Sequence, residues 1–232
     1  MRMSNKKYKG KQCVYCVEAT ATTSDHVIGR GFFLEKRRGY LPQVPACTSC
    51  NGAKSDLENY LMAVLAFGAR HPDAAVNLHT MIPKRLKKNA KLNAELEAEF
   101  AKSGGTNIPF DHIRFDKLCA MIAQGLAWYH WEMLLGHGYS AFAGTFSDSG
   151  AAFFEQMVDM WNKPNTVVEN LGENTFSYKG FQNTDCPQFT VWWLSMYGGL
   201  NFLGDPQVPG PASLVVAVTG PEAIIKRLQM AA

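Results

Sequence analysis

Apolar positions recur at helical spacing over several stretches of the chain and crowd into strand-like runs near its C-terminus. Leu57, Leu61, Val64 and Leu65 share one face of a helix that starts at Thr48 or Ser49 and ends near Gly68. Lys84 to Phe100 predicts a solvated helix, with Leu86, Leu92, Leu96 and Phe100 on one side, charges elsewhere, and Gly104-Gly105 closing it. Asp111 can cap a helix whose apolar positions are Phe115, Leu118, Ile122, Leu126 and Tyr129. A further helix is expected over Ala151 to Trp161, with Phe154, Met157, Val158 and Trp161 facing in. The pattern then changes. Thr175 to Phe181, Phe189 to Phe202 and Ser213 to Val218 are rich in aromatic and β-branched residues broken by Gly and Pro, which predicts strands of an antiparallel sheet. Glu222 to Leu228, behind Pro221, predicts a short closing helix.

Before Cys47 the signals are those of a hairpin with a long loop. His26-Val27-Ile28 suggests one strand and Tyr40 to Ala46 its partner, an edge strand given Pro42 and Pro45. The fold class expected is therefore α+β. Residues 1–68 make an N-terminal unit, 69–105 a helical linker, and 106–232 a second α+β unit with the antiparallel sheet.

Charge sharpens that division. Residues 1–102 carry 17 Lys and Arg against 9 Asp and Glu, and the remainder carries 6 against 11. A basic first part holding Lys6, Lys7, Lys9, Lys11, Arg30, Lys36, Arg37 and Arg38 suits a polyanion, through phosphate neutralisation and counterion release. Solvated surface charge is the competing explanation for such runs. The polar, basic N-terminus lacks the apolar segment of a secretory signal, and no apolar run is long enough to span a bilayer. A cytoplasmic protein is expected, with no membrane partner. In a reducing compartment six cysteines are metal ligands or buried thiols before they are disulfides.

Four of those cysteines form two C-x-x-C knuckles, Cys13-Val14-Tyr15-Cys16 and Cys47-Thr48-Ser49-Cys50. Two residues between thiols let a tight turn aim both sulfurs at one tetrahedral Zn²⁺, and two such turns close a four-sulfur structural site. Cys119 and Cys186 have no partner at ligand spacing and read as structural. The knuckles are separated by 30 residues, more than a plain zinc ribbon needs. The insertion contains Asp25-His26, and Asn51 directly follows the last cysteine.

Asp25-His26-Val27-Ile28 together with Val44-Pro45-Ala46-Cys47-Thr48-Ser49-Cys50-Asn51-Gly52-Ala53-Lys54 resembles the HNH endonuclease family, the ββα-metal nucleases, in the form stapled by two C-x-x-C pairs. The resemblance covers about residues 13 to 60. It implies a ββα-metal finger over the first 68 residues, with His26 matching the general base that activates water. Asp25 and Asn51 match the holders of one divalent cation, usually Mg²⁺. The residue types suit the chemistry: a neutral imidazole can take a proton from water near pH 7, and carboxylate and carboxamide oxygens suit a hard cation that also binds phosphate. Side chains of adjacent strand residues point to opposite sides, so joint action of Asp25 and His26 requires a local distortion.

One position departs from the family. Where it usually carries an asparagine on the second strand, nine residues before the helix position, Pro42 stands here, with Gln43 next to it. Two functions follow: a Mg²⁺-dependent nuclease acting on DNA, with RNA as the related polyanion, or a non-catalytic zinc module that binds nucleic acid or protein through a degenerate site. Arg30, Lys36, Arg37, Arg38 and Lys54 are the candidate nucleic-acid contacts. Glu58 reads as a surface helical residue before it reads as an extra ligand. Asp111-His112 repeats the Asp-His pair but is explained by helix capping, and His130 as a satisfied helix residue. Residues 106–232 could serve substrate recognition, a protein partner or a homodimer.

Overall fold

The chain around Asp25 and His26 forms a minimal hairpin. Strand β1 (Thr23–His26) pairs antiparallel with β2 (Gln43–Ala46), matching Thr23 with Ala46, Ser24 with Pro45, Asp25 with Val44 and His26 with Gln43. This is a computed structural model, and it describes residues 5–8, 10–105, 108–200 and 214–231. The first strand ends earlier than its β-branched residues suggest. Val27 and Ile28 are consecutive and both fully buried, which an alternating strand cannot provide. Gly29 follows, and a Cβ there would lie 2.5 Å from Glu58 Oε2, so a larger residue would have to displace that carboxylate from Lys54.

Helix α1 (Thr48–Leu65) begins where the sequence places it and continues into a 3-10 turn over Ala66–Gly68. Three helices follow, α2 (Pro72–Thr80), α3 (Ile82–Lys88) and α4 (Ala90–Lys102). The single helix expected over Lys84 to Phe100 is thus two. Asn89 leaves the helical conformation, at φ −118° and ψ 74°, and its side chain accepts the Leu92 N–H at 3.1 Å, so a carboxamide cap outcompetes helix continuation.

Helix α5 (His112–Trp131) carries the core. Asp111 accepts the Arg114 N–H at 3.0 Å as its cap, and Phe115, Leu118, Ile122 and Leu126 are wholly buried. The five-stranded antiparallel sheet runs in the order β3 (Tyr139–Phe146), β7 (Leu214–Pro221), β6 (Thr190–Met196), β5 (Phe176–Gln182), β4 (Asn165–Leu171). Alternation divides it cleanly: Val215, Ala217, Trp192 and Leu194 join the core shared with α5, while Val216, Val218 and Val191 face α6 (Asp148–Asp159) and α7 (Glu222–Ala231). The strands the sequence pattern missed, β3 and β4, are the two edges of the sheet. The long strand expected from Phe189 stops at Met196, because Tyr197, Gly198 and Gly199 all adopt positive φ. Asn201, Phe202, Ser213 and Lys9 lie outside the described residues.

A continuous apolar core joins the hairpin and α1 to α5 and the sheet, including Val27, Ile28 and Leu61 with Leu118, Leu126 and Trp192. It therefore contains residues on both sides of Gly104-Gly105. One close approach is at Gly125 of α5, where a Cβ would stand 2.9 Å from Val27 Cγ1. The residue next to His26 is thus held by the longest helix. Among the described residues no helix is long and apolar enough to cross a membrane.

Candidate functional site

The first knuckle is a tight turn. Val17 N–H donates to Cys13 O at 2.9 Å, Cys13 N–H donates to Ala19 O at 2.8 Å, and Val17 takes φ 59° to let the chain reverse. The second knuckle is the beginning of α1, where Cys47 is the N-cap and its Sγ accepts the Cys50 N–H at 3.4 Å. A backbone bond from Val14 N–H to Pro45 O, 3.0 Å, ties one turn to the other. As a result the sulfurs of Cys13, Cys16, Cys47 and Cys50 all lie within 4.8 Å of one another. Four thiolates around a tetrahedral zinc stand about 3.8 Å apart, from metal–sulfur bonds of about 2.3 Å.

The thiols titrate unevenly. Burial pushes Cys13 and Cys50 up, whereas Cys16, although burial opposes it, is held down to about 7 by the Ala19 and Glu18 backbone N–H groups and by Cys13. Crowded, partly desolvated thiols of this kind become thiolates together only with a cation among them. The donor set therefore fits a metal such as zinc. Cys119 lies buried in α5 and Cys186 packs beside α6 and α7, both away from the cluster.

Asp25 points inward. Its Oδ2 accepts the Tyr15 hydroxyl at 2.6 Å and faces Lys54 Nζ at 3.0 Å. Lys54 also donates to His26 O at 2.8 Å and to Glu58 Oε1, and it is completely buried. One ammonium is thus shared by two carboxylates. Burial, and then the facing Asp25, hold the Tyr15 phenol well above its ordinary pKa, so it stays a donor. Burial also raises Glu58, against the pull of Lys54.

His26 turns the other way. Its Nε2 lies 2.8 Å from Gln43 Nε2, the residue directly across the ladder. In this orientation the Gln43 amide donates to Nε2 and the neutral ring carries its proton on Nδ1. Turned over, the carboxamide oxygen would accept from Nε2–H and leave the lone pair on Nδ1. Burial, then Arg30, lower the His26 pKa, so the ring is neutral near pH 7. Asn51 donates from Nδ2 to Thr23 Oγ1 at 3.0 Å, and Thr23 shares the Asp25 side of β1 by alternation.

The expected bend that would aim Asp25 and His26 together is absent from β1, since the ladder is regular through all four pairs. Each of the three candidate residues has its own partner: Asp25 has Lys54 and Tyr15, His26 has Gln43, and Asn51 has Thr23. The proposed phosphate contacts also divide. Arg30 and Lys36 are exposed. Arg37 is instead paired with Asp73 at 3.3 Å and with Glu173, and Arg38 clamps the carbonyls of Arg30 and Phe33 at 2.9 and 3.1 Å. Lys54 is a correction outright, because an interior ammonium shared by two carboxylates presents no surface to a phosphate. Glu58 is another: it is buried rather than solvated. Its spacing of four from Lys54 was the available signal. Tyr15, hidden between two thiols, gave none.

No protein-family model, curated protein or solved structure matches the chain.

Proposed function

We propose that the chain is a zinc-stapled HNH-type endonuclease that hydrolyses phosphodiester bonds of DNA with His26 as general base. The observation that carries this reading is the His26–Gln43 pair: a neutral, half-buried imidazole braced from the cross-strand position and flanked by exposed Arg30. Pro42 fills the usual bracing position of the family, but the register puts Gln43, one residue on, beside His26. The brace is shifted rather than lost.

In this reading zinc sits among Cys13, Cys16, Cys47 and Cys50 and holds the hairpin to α1. Protein contacts fall on Asp25 Oδ2 and Asn51 Nδ2, so Asp25 Oδ1 and the Asn51 carboxamide oxygen are the atoms offered to Mg²⁺. When bound there, Mg²⁺ supplies positive charge to the phosphate oxygens as negative charge gathers on them. With the Gln43 carboxamide turned so that its oxygen accepts from His26 Nε2–H, His26 Nδ1 is free to take the proton of the attacking water, and Arg30 orients a non-bridging phosphate oxygen.

A second reading, a non-catalytic zinc module that binds nucleic acid or protein, is favoured by two observations: the regular β1 ladder sends the side chains of Asp25 and His26 to opposite sides of the strand, and Asp25 already has a cationic partner. Lys54 already neutralises Asp25, which lessens its hold on a second cation. Nicking of supercoiled plasmid with and without Mg²⁺ separates the two. Cutting should be Mg²⁺-dependent and fall by at least about 100-fold in His26→Ala at unchanged zinc content. Cutting that survives His26→Ala rejects the first reading, and a zinc-loaded chain that never cuts selects the second.

A further inference from the structure

The loop end of the β1–β2 hairpin, where His26 meets Gln43, is bordered by an aromatic and cationic surface that the hydrolytic reading does not use. Tyr8 binds it to the hairpin, its hydroxyl donating to Gln43 O at 2.8 Å. The Tyr8 ring packs edge-on against Trp128 of α5, with centroids 5.6 Å apart. Lys11 Nζ lies 4.9 Å from the Trp128 ring centroid and Lys7 Nζ lies 5.1 Å from that of Tyr8; both lysines are exposed. Tyr129, the next residue of α5, packs at 6.5 Å and 51° against Tyr40.

Tyr40 is the anomaly. It is 75% exposed, on the three-residue approach to Gln43, although a large aromatic ring gains most by burial. Neighbouring Tyr129 fixes one edge of the ring and leaves the rest to solvent. Tyr40 also lies within electrostatic reach of Lys7, whose pKa it raises after the larger effect of Tyr8. Three extended residues span about 10 Å, so the ring stands within a few nucleotides of His26 for a strand threaded along this edge. Exposed aromatic faces bordered by lysines are what an unpaired nucleic acid requires: a surface for bases to stack on and cations that follow its phosphates. A duplex keeps its base faces stacked internally and cannot use such a ring. Glu169 faces Tyr129 and bounds the patch on the β4 side.

We propose that Tyr40, backed by Tyr129 and with Lys7 and Lys11 on the neighbouring Tyr8–Trp128 pair, is a stacking platform for an unpaired base of single-stranded DNA held beside the His26–Gln43 edge. As the substrate flank of an endonuclease it rests on the reading above, but binding to it requires no cutting. The platform makes single strands, or the unpaired part of a distorted duplex, the favoured ligand of this face.

The test is fluorescence anisotropy on the zinc-loaded full chain without added Mg²⁺, using a labelled oligothymidylate of about 12 nucleotides, an oligouridylate of the same length and a matching duplex. Tyr40→Ala should weaken oligothymidylate binding by roughly 5- to 100-fold, Tyr40→Phe should restore it, and duplex affinity should change by less than about twofold. Lys11→Ala should reduce the slope of log affinity against log salt by about 0.7. Circular dichroism and zinc content confirm that each variant is folded. Tyr40-dependent binding of oligouridylate as well supports the platform with a ligand defined by base and phosphate rather than by sugar. Failure of the wild-type chain to bind single strands, an unchanged affinity in Tyr40→Ala, or an equal loss on the duplex overturns it. A chain that binds through Tyr40 yet never nicks plasmid keeps the platform and loses the nuclease. Plasmid nicking without Tyr40-dependent binding does the reverse.

Discussion

Two clusters of ionisable side chains adjoin the same short hairpin, linked by the Tyr15 hydroxyl on Asp25, and they balance charge in opposite ways. The four cysteines present like groups to one another, with sulfurs within 4.8 Å and no cationic side chain in the set. Ionising them requires a cation from outside. Asp25 and Glu58 are also like groups in a buried place, but Lys54 stands between them and brings its own positive charge from α1. Proximity of potential ligands is therefore not enough to mark a metal site. The first cluster could be balanced by a metal such as zinc, whereas the second is neutralised by the fold itself, and a divalent cation at Asp25 would have to compete with that existing partner.

The largest effect expected from this contrast is loss of the outside cation. Structural zinc in such sites contributes on the order of 10 kcal/mol of folding free energy. Cys16→Ser, which spares the Cys47 cap of α1, should abolish zinc binding and lower the thermal midpoint by more than about 10 °C; prolonged chelation of the wild-type chain should do the same. Calorimetry together with metal analysis reads both. A variant that keeps its zinc and its midpoint breaks the comparison at once, since the sulfurs would then not act as a set.

Removal of the internal cation comes next. Lys54→Met leaves two buried carboxylates with no counter-charge, and stripping one partner from a buried pair costs about 3–5 kcal/mol. Urea denaturation measures this loss. Added Mg²⁺ should stabilise Lys54→Met more than it stabilises the wild-type chain, because the vacated position is flanked by carboxylate oxygens. A cost below about 1 kcal/mol would mean that Lys54 is not what satisfies Asp25 and Glu58.

What the sequence disclosed follows the same division. Paired C-x-x-C spacing is a local signal: local chain geometry gathers the sulfurs of each pair, and the ligand chemistry of two such pairs implies that they meet, so the cysteine cluster was legible although its Val14–Pro45 tie is long-range. The α5 periodicity and its Asp111 cap were legible for the same reason. The Lys54–Asp25–Glu58 arrangement was not, because it depends on a contact between α1 and β1 across 29 positions in sequence. Lys54 as a phosphate contact and Glu58 as a surface residue are what helix position suggests when that contact is unseen. The edge strands β3 and β4 were missed for a different reason. Six of the seven residues of β4 are exposed or half-buried, so burial never imposed an alternating pattern on it. The register of β1 with β2 was equally invisible, although it decides that Gln43 rather than Pro42 stands beside His26.

The smallest effect belongs to His26, whose ring belongs to neither cluster and, among the described residues, carries no neutralising partner. Burial and Arg30 lower its pKa below the ordinary value of about 6.5. Between its folded pKa and that value the unfolded chain binds more protons than the folded one. Stability from this group is therefore fully present above about pH 6.5 and is lost as pH falls through the folded pKa, by at most about 1.4 kcal/mol for each pH unit between them. His130 is lowered by burial too, with its Nε2 2.9 Å from the Tyr178 hydroxyl, and adds a slope of the same sign. Glu58, raised by burial, adds one of opposite sign at lower pH, where its folded form binds the extra proton. Comparing urea midpoints of wild type and His26→Asn from about pH 5 to about pH 7.5 cancels both contributions. The wild type should lose the additional stability on acidification. On the nuclease reading, the cutting rate should rise with pH over the same range and level off above it, because only the neutral ring accepts a proton. An identical pH profile in His26→Asn would mean that the ring is not held neutral in the hairpin, and the brace from Gln43 would then carry neither stability nor chemistry.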